Sequence, residues 1–191
     1  MVVGAAFVLG ALSLFYMNYR EARRGQESVE TLLPEVTSWI EEQQNSSGNQ
    51  DGKIPNPYDT EMTEVEIDGY TFVGYLLIPD LGLELPVLSD CDDALLKVAP
   101  CRYAGSVKTD NLVIAAHNYG RHFGRLSQLS EGDPVIFTDM DGKSYSYEVA
   151  AMDILESDAV EEMTAGEYDL TLYTCTYSGE KRVTVRCERA E

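Results

Sequence analysis

The apolar positions of this chain fall into three stretches of different period. Residues 2–17 read VVGAAFVLGALSLFYM, uncharged and mostly apolar, and Asn18 and Tyr19 extend the run to the basic cluster Arg20, Arg23 and Arg24. A helix needs about 20 apolar residues to cross a bilayer, so the run is slightly short. It fits a membrane anchor or the apolar region of a signal peptide. The lack of a small-residue cleavage site after it, and Tyr16 and Tyr19 at its end, favour an anchor over residues 1–19.

Residues 27–44 carry Val29, Leu32, Leu33, Val36, Trp39 and Ile40 at helical spacing with one wet face, which predicts an amphipathic helix that docks on a domain. Pro34 lies inside the pattern and predicts a break or kink there. Residues 45–58, NSSGNQDGKIPNPY, are rich in turn formers and read as a linker. The helix and linker together occupy residues 20–60.

From Gly69 onward the period changes to two. Short alternating runs at 70–78, 83–88, 112–116, 134–138, 144–154, 170–174 and 183–188, separated by turns, predict seven or eight strands and a closed barrel. Asp141-Gly142 between two such runs marks a hairpin. Residues 92–98, 122–129 and 159–163 are the expected short helices. One all-β domain over residues 61–191 accounts for the remainder.

Composition narrows the function. Fourteen basic against 33 acidic residues give a net charge of -19, which repels phosphate and argues against a nucleic-acid partner. The four cysteines, Cys91, Cys101, Cys175 and Cys187, form no CxxC pair and only two histidines are available, so a structural zinc site is disfavoured.

Candidate chemistry gathers at one hairpin. Thr171-Leu172-Tyr173-Thr174-Cys175 ends a predicted strand and Lys181-Arg182-Val183-Thr184-Val185 opens the next. A free cysteine is often only a small buried apolar residue. Here alternation puts Leu170, Leu172 and Thr174 toward the core and Thr171, Tyr173 and Cys175 outward. If residues 170–175 and 182–187 pair as an antiparallel hairpin, Arg182 faces Cys175 and Arg186 faces Thr171. At ~3.3 Å per residue that places Arg186 roughly 13 Å further along, exposed and dispensable. His117, at the end of the apolar run 112–116, overhangs the same groove. His122 is its competitor and reads as a solvated histidine opening a short helix.

The segment Asn111-Leu112-Val113-Ile114-Ala115-Ala116-His117, then Phe123, Leu126, Leu129 and Gly132-Asp133, then the TLYTC strand and Arg182-Val183-Thr184-Val185, resembles the sortase family in order and spacing. The resemblance covers roughly residues 69–188 and departs from it where many sortases have glycine at the position of Ala116. It implies an eight-stranded sortase-type barrel in a cysteine transpeptidase of Gram-positive bacteria, with class undecided between B-like and D-like. It also implies catalysis by His117, Cys175 and Arg182, substrate contact at Thr174, and no metal. The substrate implied is a C-terminal sorting signal, LPxTG or NPxTG-like, on surface or pilin proteins; the acceptor is a cell-wall precursor amine or a pilin lysine.

The resemblance places the catalytic domain outside the cell on a single-pass anchor. The arginines after residues 1–19 argue for the opposite orientation. Some sortases bind calcium, and here Asp90, Asp92 and Asp93 with Glu156, Asp158, Glu161 and Glu162 are the candidate ligands; a solvated acidic surface accounts for them equally. No other cofactor follows. A hydrolase using the same residues with water as acceptor, and a non-catalytic peptide-binding module, are the competing functions. Cys91 and Cys101 bracket a short helical segment and are candidates for a disulfide, whereas Cys187, on the apolar face with Val183 and Val185, is expected buried and inert.

Overall fold

The computed structural model describes residues 2–46 and 60–190. One helix, α1 (Val2–Ser46), precedes nine strands: β1 (Val65–Ile67), β2 (Tyr70–Ile78), β3 (Leu83–Leu88), β4 (Cys101–Ala104), β5 (Leu112–Ala115), β6 (Pro134–Asp139), β7 (Ser144–Glu156), β8 (Leu170–Cys175) and β9 (Lys181–Arg189). A second helix, α2 (Val160–Thr164), lies between β7 and β8, and 3-10 turns sit at Pro79–Leu81, Leu95–Lys97 and Leu126–Gln128.

Eight strands close a ring in the order β2-β3-β4-β5-β8-β9-β7-β6, with β6 returning to pair with β2, and β1 is appended to the outer edge of β2. Closure depends on Gly74. Its backbone (φ 151°) sits at an irregularity where β2 pairs with both neighbours, and a Cβ there would fall 2.0 Å from the Thr138 carbonyl oxygen. Inward residues of every strand, among them Phe72, Leu76, Leu85, Ile114, Phe137, Tyr147, Leu172 and Val185, fill the barrel.

Two strands escape the sequence reading. β1 joins β2 through Asp68-Gly69, both with positive φ, with Ile67 paired to Tyr70. This is a two-residue hairpin of the same kind as the signal at Asp141-Gly142. β4 is four residues long with an irregularity between Arg102 and Ala104, so it shows no clean alternation.

The predicted break at Pro34 does not occur, and α1 runs through it. Pro34 lies on the exposed face of the helix, away from the barrel. Meanwhile Val29, Leu32, Val36 and Ile40 bury one stripe on the barrel on both sides of it. Gln44 Nε2 then donates to the Gly142 carbonyl at 2.7 Å, tying the end of the helix to the β6–β7 turn.

Side chains of residues 1–6, where the expected anchor begins, lie outside the described residues. Phe7, Leu9, Leu14 and Phe15 of α1 are exposed, and no helix of the described residues is long and apolar enough to cross a membrane. The predicted linker falls almost wholly outside the described residues.

Candidate active site

β5 is apolar at every position because it is covered on both faces and bonded on both edges. It runs parallel to β8, with Ala115 beside Tyr173, and the ladder continues through the Ala116 amide, which donates to the Tyr173 carbonyl at 3.2 Å. Continued two residues past the end of β5, the same register sets His117 level with Cys175. On the other edge of β8, Cys175 pairs with Arg182 and Thr171 with Arg186. The hairpin register read from the sequence is therefore the one observed: Cys175 and Arg182 pair across β8 and β9, and His117 follows the end of β5 on the other edge of β8.

Each of the three is partly exposed. Burial lowers the pKa of the His117 imidazole, and Lys97 acts in the same direction; Glu21 and Asp93 oppose them. Nη1 of Arg182 donates to the carbonyls of Gly179 (3.1 Å) and Lys181 (3.2 Å), bonds that engage a single guanidinium nitrogen. Asn118 Nδ2 reaches the Thr176 carbonyl at 3.3 Å and ties the residue after His117 to the residue after Cys175. Tyr173, on the same face as Cys175, packs edge-on against Tyr103 of β4 at 5.4 Å.

Thr174, for which the resemblance implies substrate contact, points its side chain into the protein. It is buried, and its hydroxyl donates to the Ala116 carbonyl at 2.8 Å, clamping β8 to β5 immediately behind the His117–Cys175 pair. Thr174→Val should leave that carbonyl unsatisfied and cost about 1–3 kcal/mol in denaturant unfolding. A change in KM at full stability would instead return Thr174 to the substrate.

His122, expected in solvent, is fully buried. The 117–124 loop folds back through Phe123 N to His117 O (3.1 Å) and His122 N to Tyr119 O (2.9 Å), turning the ring inward beneath α1. There it meets Gly25, where a Cβ would stand only 3.2 Å from the imidazole, so glycine permits the close approach. Neither ring nitrogen has a well-formed hydrogen bond, although the Gly25 carbonyl lies near enough to favour the charged ring slightly. Burial holds the pKa at about 4 against an ordinary 6.5.

That shift carries a sign. Between these values the unfolded chain binds a proton on His122 that the folded chain refuses, so stability falls as pH drops from 6.5 toward 4, by about 3 kcal/mol in all. His122→Leu should flatten the profile of melting temperature over that interval. An unchanged acid slope in the variant would exclude His122 as its source.

Arg186 also differs from expectation. It is buried beneath α2, where Nη2 donates to the Glu162 carbonyl (2.7 Å) and Nη1 to the Met163 carbonyl (3.3 Å) and Thr171 Oγ1 (3.1 Å). Cys91 and Cys101 are free thiols, and Cys101 Sγ donates to the Ala99 carbonyl at 3.4 Å. The neighbouring Cys101 lowers the pKa of Cys91 and Cys91 raises that of Cys101, whereas burial alone pushes Cys187 up to about 12. Among the described residues no group of three or more potential ligands converges on a metal position. Of the candidate calcium ligands, Asp92 accepts from the amides of Ala94 and Leu95, and Glu156 pairs with Lys181.

The closed barrel, with a thiol and a guanidinium paired across two strands and an imidazole after a third, is the architecture of a cysteine transpeptidase. A family model described as the sortase domain matches residues 76–190, and the chain belongs to the sortase family. Sortase A of Bacillus anthracis is 27% identical over 178 residues, 88% of this chain and 82% of that protein. Among solved structures, sortase C1 of Streptococcus suis shares 25% identity at a TM-score of 0.55, covering 63% of this chain and 73% of that one. The sortase C of Streptococcus pneumoniae shares 21% at 0.60, covering 86% and 97%. These relatives carry both A and C designations.

Proposed function

We propose that the chain is a cell-surface transpeptidase whose catalytic unit, residues 61–191, uses Cys175, His117 and Arg182 on a C-terminal sorting signal. The observation that supports this reading is the strand pairing: antiparallel β8 and β9 pair Cys175 with Arg182, and parallel β5 and β8 pair Ala115 with Tyr173, two residues before His117 and Cys175. Cys175 Sγ attacks the carbonyl carbon of the threonine in an LPxTG or NPxTG-like signal. His117 takes the thiol proton and hands it to the leaving amine as the peptide C–N bond breaks. An acceptor amine next attacks the thioester, and its proton passes through His117 to the departing Cys175 sulfur. Arg182 donates to the carbonyl oxygen as negative charge develops.

Surface and pilin proteins are the substrate class that this chemistry fits. The pilin substrate specificity named for the Streptococcus pneumoniae relative supports pilins among the substrates; the acceptor proposed is a pilin lysine or a cell-wall amine. The apolar run at residues 1–19 tethers the enzyme to the membrane, with the barrel outside the cell. The test offers LPxTG and NPxTG peptides with a small amine. A ligated peptide–amine product supports the reading, and release of the free acid alone would make the chain a hydrolase.

A further inference from the structure

Between His117 and the buried His122 lies the ring of Tyr119. Its centroid is 4.8 Å from that of His117, with the planes tilted by 34°, and 5.4 Å from that of His122, tilted by 49°. The three rings lie in series, tilted against one another, from the site to the underside of α1, where Gly25 closes against His122. The loop that carries them is folded rigidly: besides the bonds described above, Gly124 N donates to the Tyr119 carbonyl at 2.9 Å. A cleft of about 300 Å³ between α1 and Gly120–Arg121 lies beside this loop, bordered by Tyr19, Arg23 and Gln26.

His117 has little else to hold its ring. Its Nε2 is buried and has no hydrogen-bond partner within the protein. Metal-bound and catalytic imidazoles are commonly oriented by a carboxylate or carbonyl on the second nitrogen. The contact available here is an aromatic face. Tyr119 is itself held from behind, because His122 is sealed on every side and cannot turn away.

Resting on the proton-transfer reading of His117, we infer that Tyr119 is a positioning residue. Its ring, backed by His122, holds the His117 imidazole in the orientation that serves Cys175 and the substrate nitrogen. The ring does this work, and the hydroxyl is dispensable. A leucine at this position leaves the imidazole free to rotate about its side-chain bonds, so the fraction of productive orientations falls. Misplacement of a catalytic group by about 1 Å can cost 100-fold, which sets the scale for the loss.

The groups that face His117 bear on any pH dependence. They are Lys97 and Asp93 from the β3–β4 connection, Glu21 from α1, and His122 and Tyr119 from its own loop. Of these, Tyr119→Phe removes only the Tyr119 hydroxyl.

The experiment measures kcat and KM for acyl transfer to an amine by the full chain and by Tyr119→Leu, Tyr119→Phe, His122→Leu and His117→Ala. Tyr119→Leu should lower kcat by about 10-fold to 100-fold with KM within about twofold, and Tyr119→Phe should restore the rate. His122→Leu should lower kcat less, and the pair Tyr119→Leu/His122→Leu should be no worse than Tyr119→Leu alone. With only two histidines in the chain, the two imidazole proton signals are separable by NMR once His122→Leu removes one of them. Tyr119→Leu should move the His117 signal as the ring above it disappears. A parent-like kcat in Tyr119→Leu beside an inactive His117→Ala overturns the positioning role alone. A parent-like kcat in His117→Ala would instead overturn the proton-transfer reading on which it rests.

Discussion

Cys175→Ala is expected to abolish acyl-enzyme formation and peptide cleavage, a loss on the order of 10⁴-fold or more, while the melting temperature hardly moves. The two halves of that expectation come from different features of one position. Chemically, the thiol is the nucleophile that splits a difficult acyl transfer into two easier steps, and alanine offers nothing in its place. Structurally, the thiol lies at the last residue of β8, half exposed, and the ladder to Arg182 uses only backbone atoms. Losing one partly solvated sulfur there costs no more than about 0.5 kcal/mol. Cys101 and Cys187 are buried, which leaves Cys91 as the other partly accessible thiol. Trapping the acyl-enzyme with a sorting peptide and locating the modified residue by mass spectrometry checks the assignment. A Cys175→Ala protein that still forms a covalent adduct would move the nucleophile to Cys91.

What the sequence makes legible is what local pattern dictates. The strands over 70–78 and 83–88 appear where the alternation puts them, and the TLYTC run with its downstream arginine was enough to derive the Cys175–Arg182 register. The barrel closes because eight half-apolar strands have no other surface on which to bury their inner faces. Misreadings arise wherever a residue's environment is set by a distant segment. His122 looks solvated because its neighbours Arg121 and Gly124 are turn-like, and only α1, nearly a hundred residues earlier, covers it. Pro34 looks like a break because sequence does not reveal that it faces water. Thr174 looks like a substrate contact when read beside Cys175, yet alternation already points it inward, and the parallel β5 supplies its acceptor. Tyr119, two residues after His117, carries no motif signal, and its role emerges from ring distances alone.

Two arginines four residues apart on β9 should fail in opposite ways. Among the described residues Arg182 bonds the carbonyls of Gly179 and Lys181 at the exposed hairpin end, so Arg182→Lys should unfold at the parent's denaturant midpoint while acyl-enzyme formation drops by about 100-fold, since an ammonium does not reproduce the planar fork of donors. Arg186 does structural work instead. The carbonyls of Glu162 and Met163 belong to the last turn of α2, where the helix has no partners of its own and the peptide dipoles leave partial negative charge. The buried guanidinium caps both and bonds Thr171 Oγ1. It also pairs with Asp153 at 3.5 Å and lies 5.6 Å from the Tyr168 ring centroid, so one side chain fastens the whole β7–β8 connection to the barrel. Arg186→Met removes these donors together and leaves the buried Met163 carbonyl and Thr171 hydroxyl without their partner, at a cost of about 3 kcal/mol. Arg186→Lys keeps the charge but serves fewer acceptors and should fall between the parent and Arg186→Met. Denaturant unfolding and single-turnover acylation measured on the same preparations separate the two roles. A larger stability loss in Arg182→Lys than in Arg186→Lys would overturn the division of labour drawn from their burial.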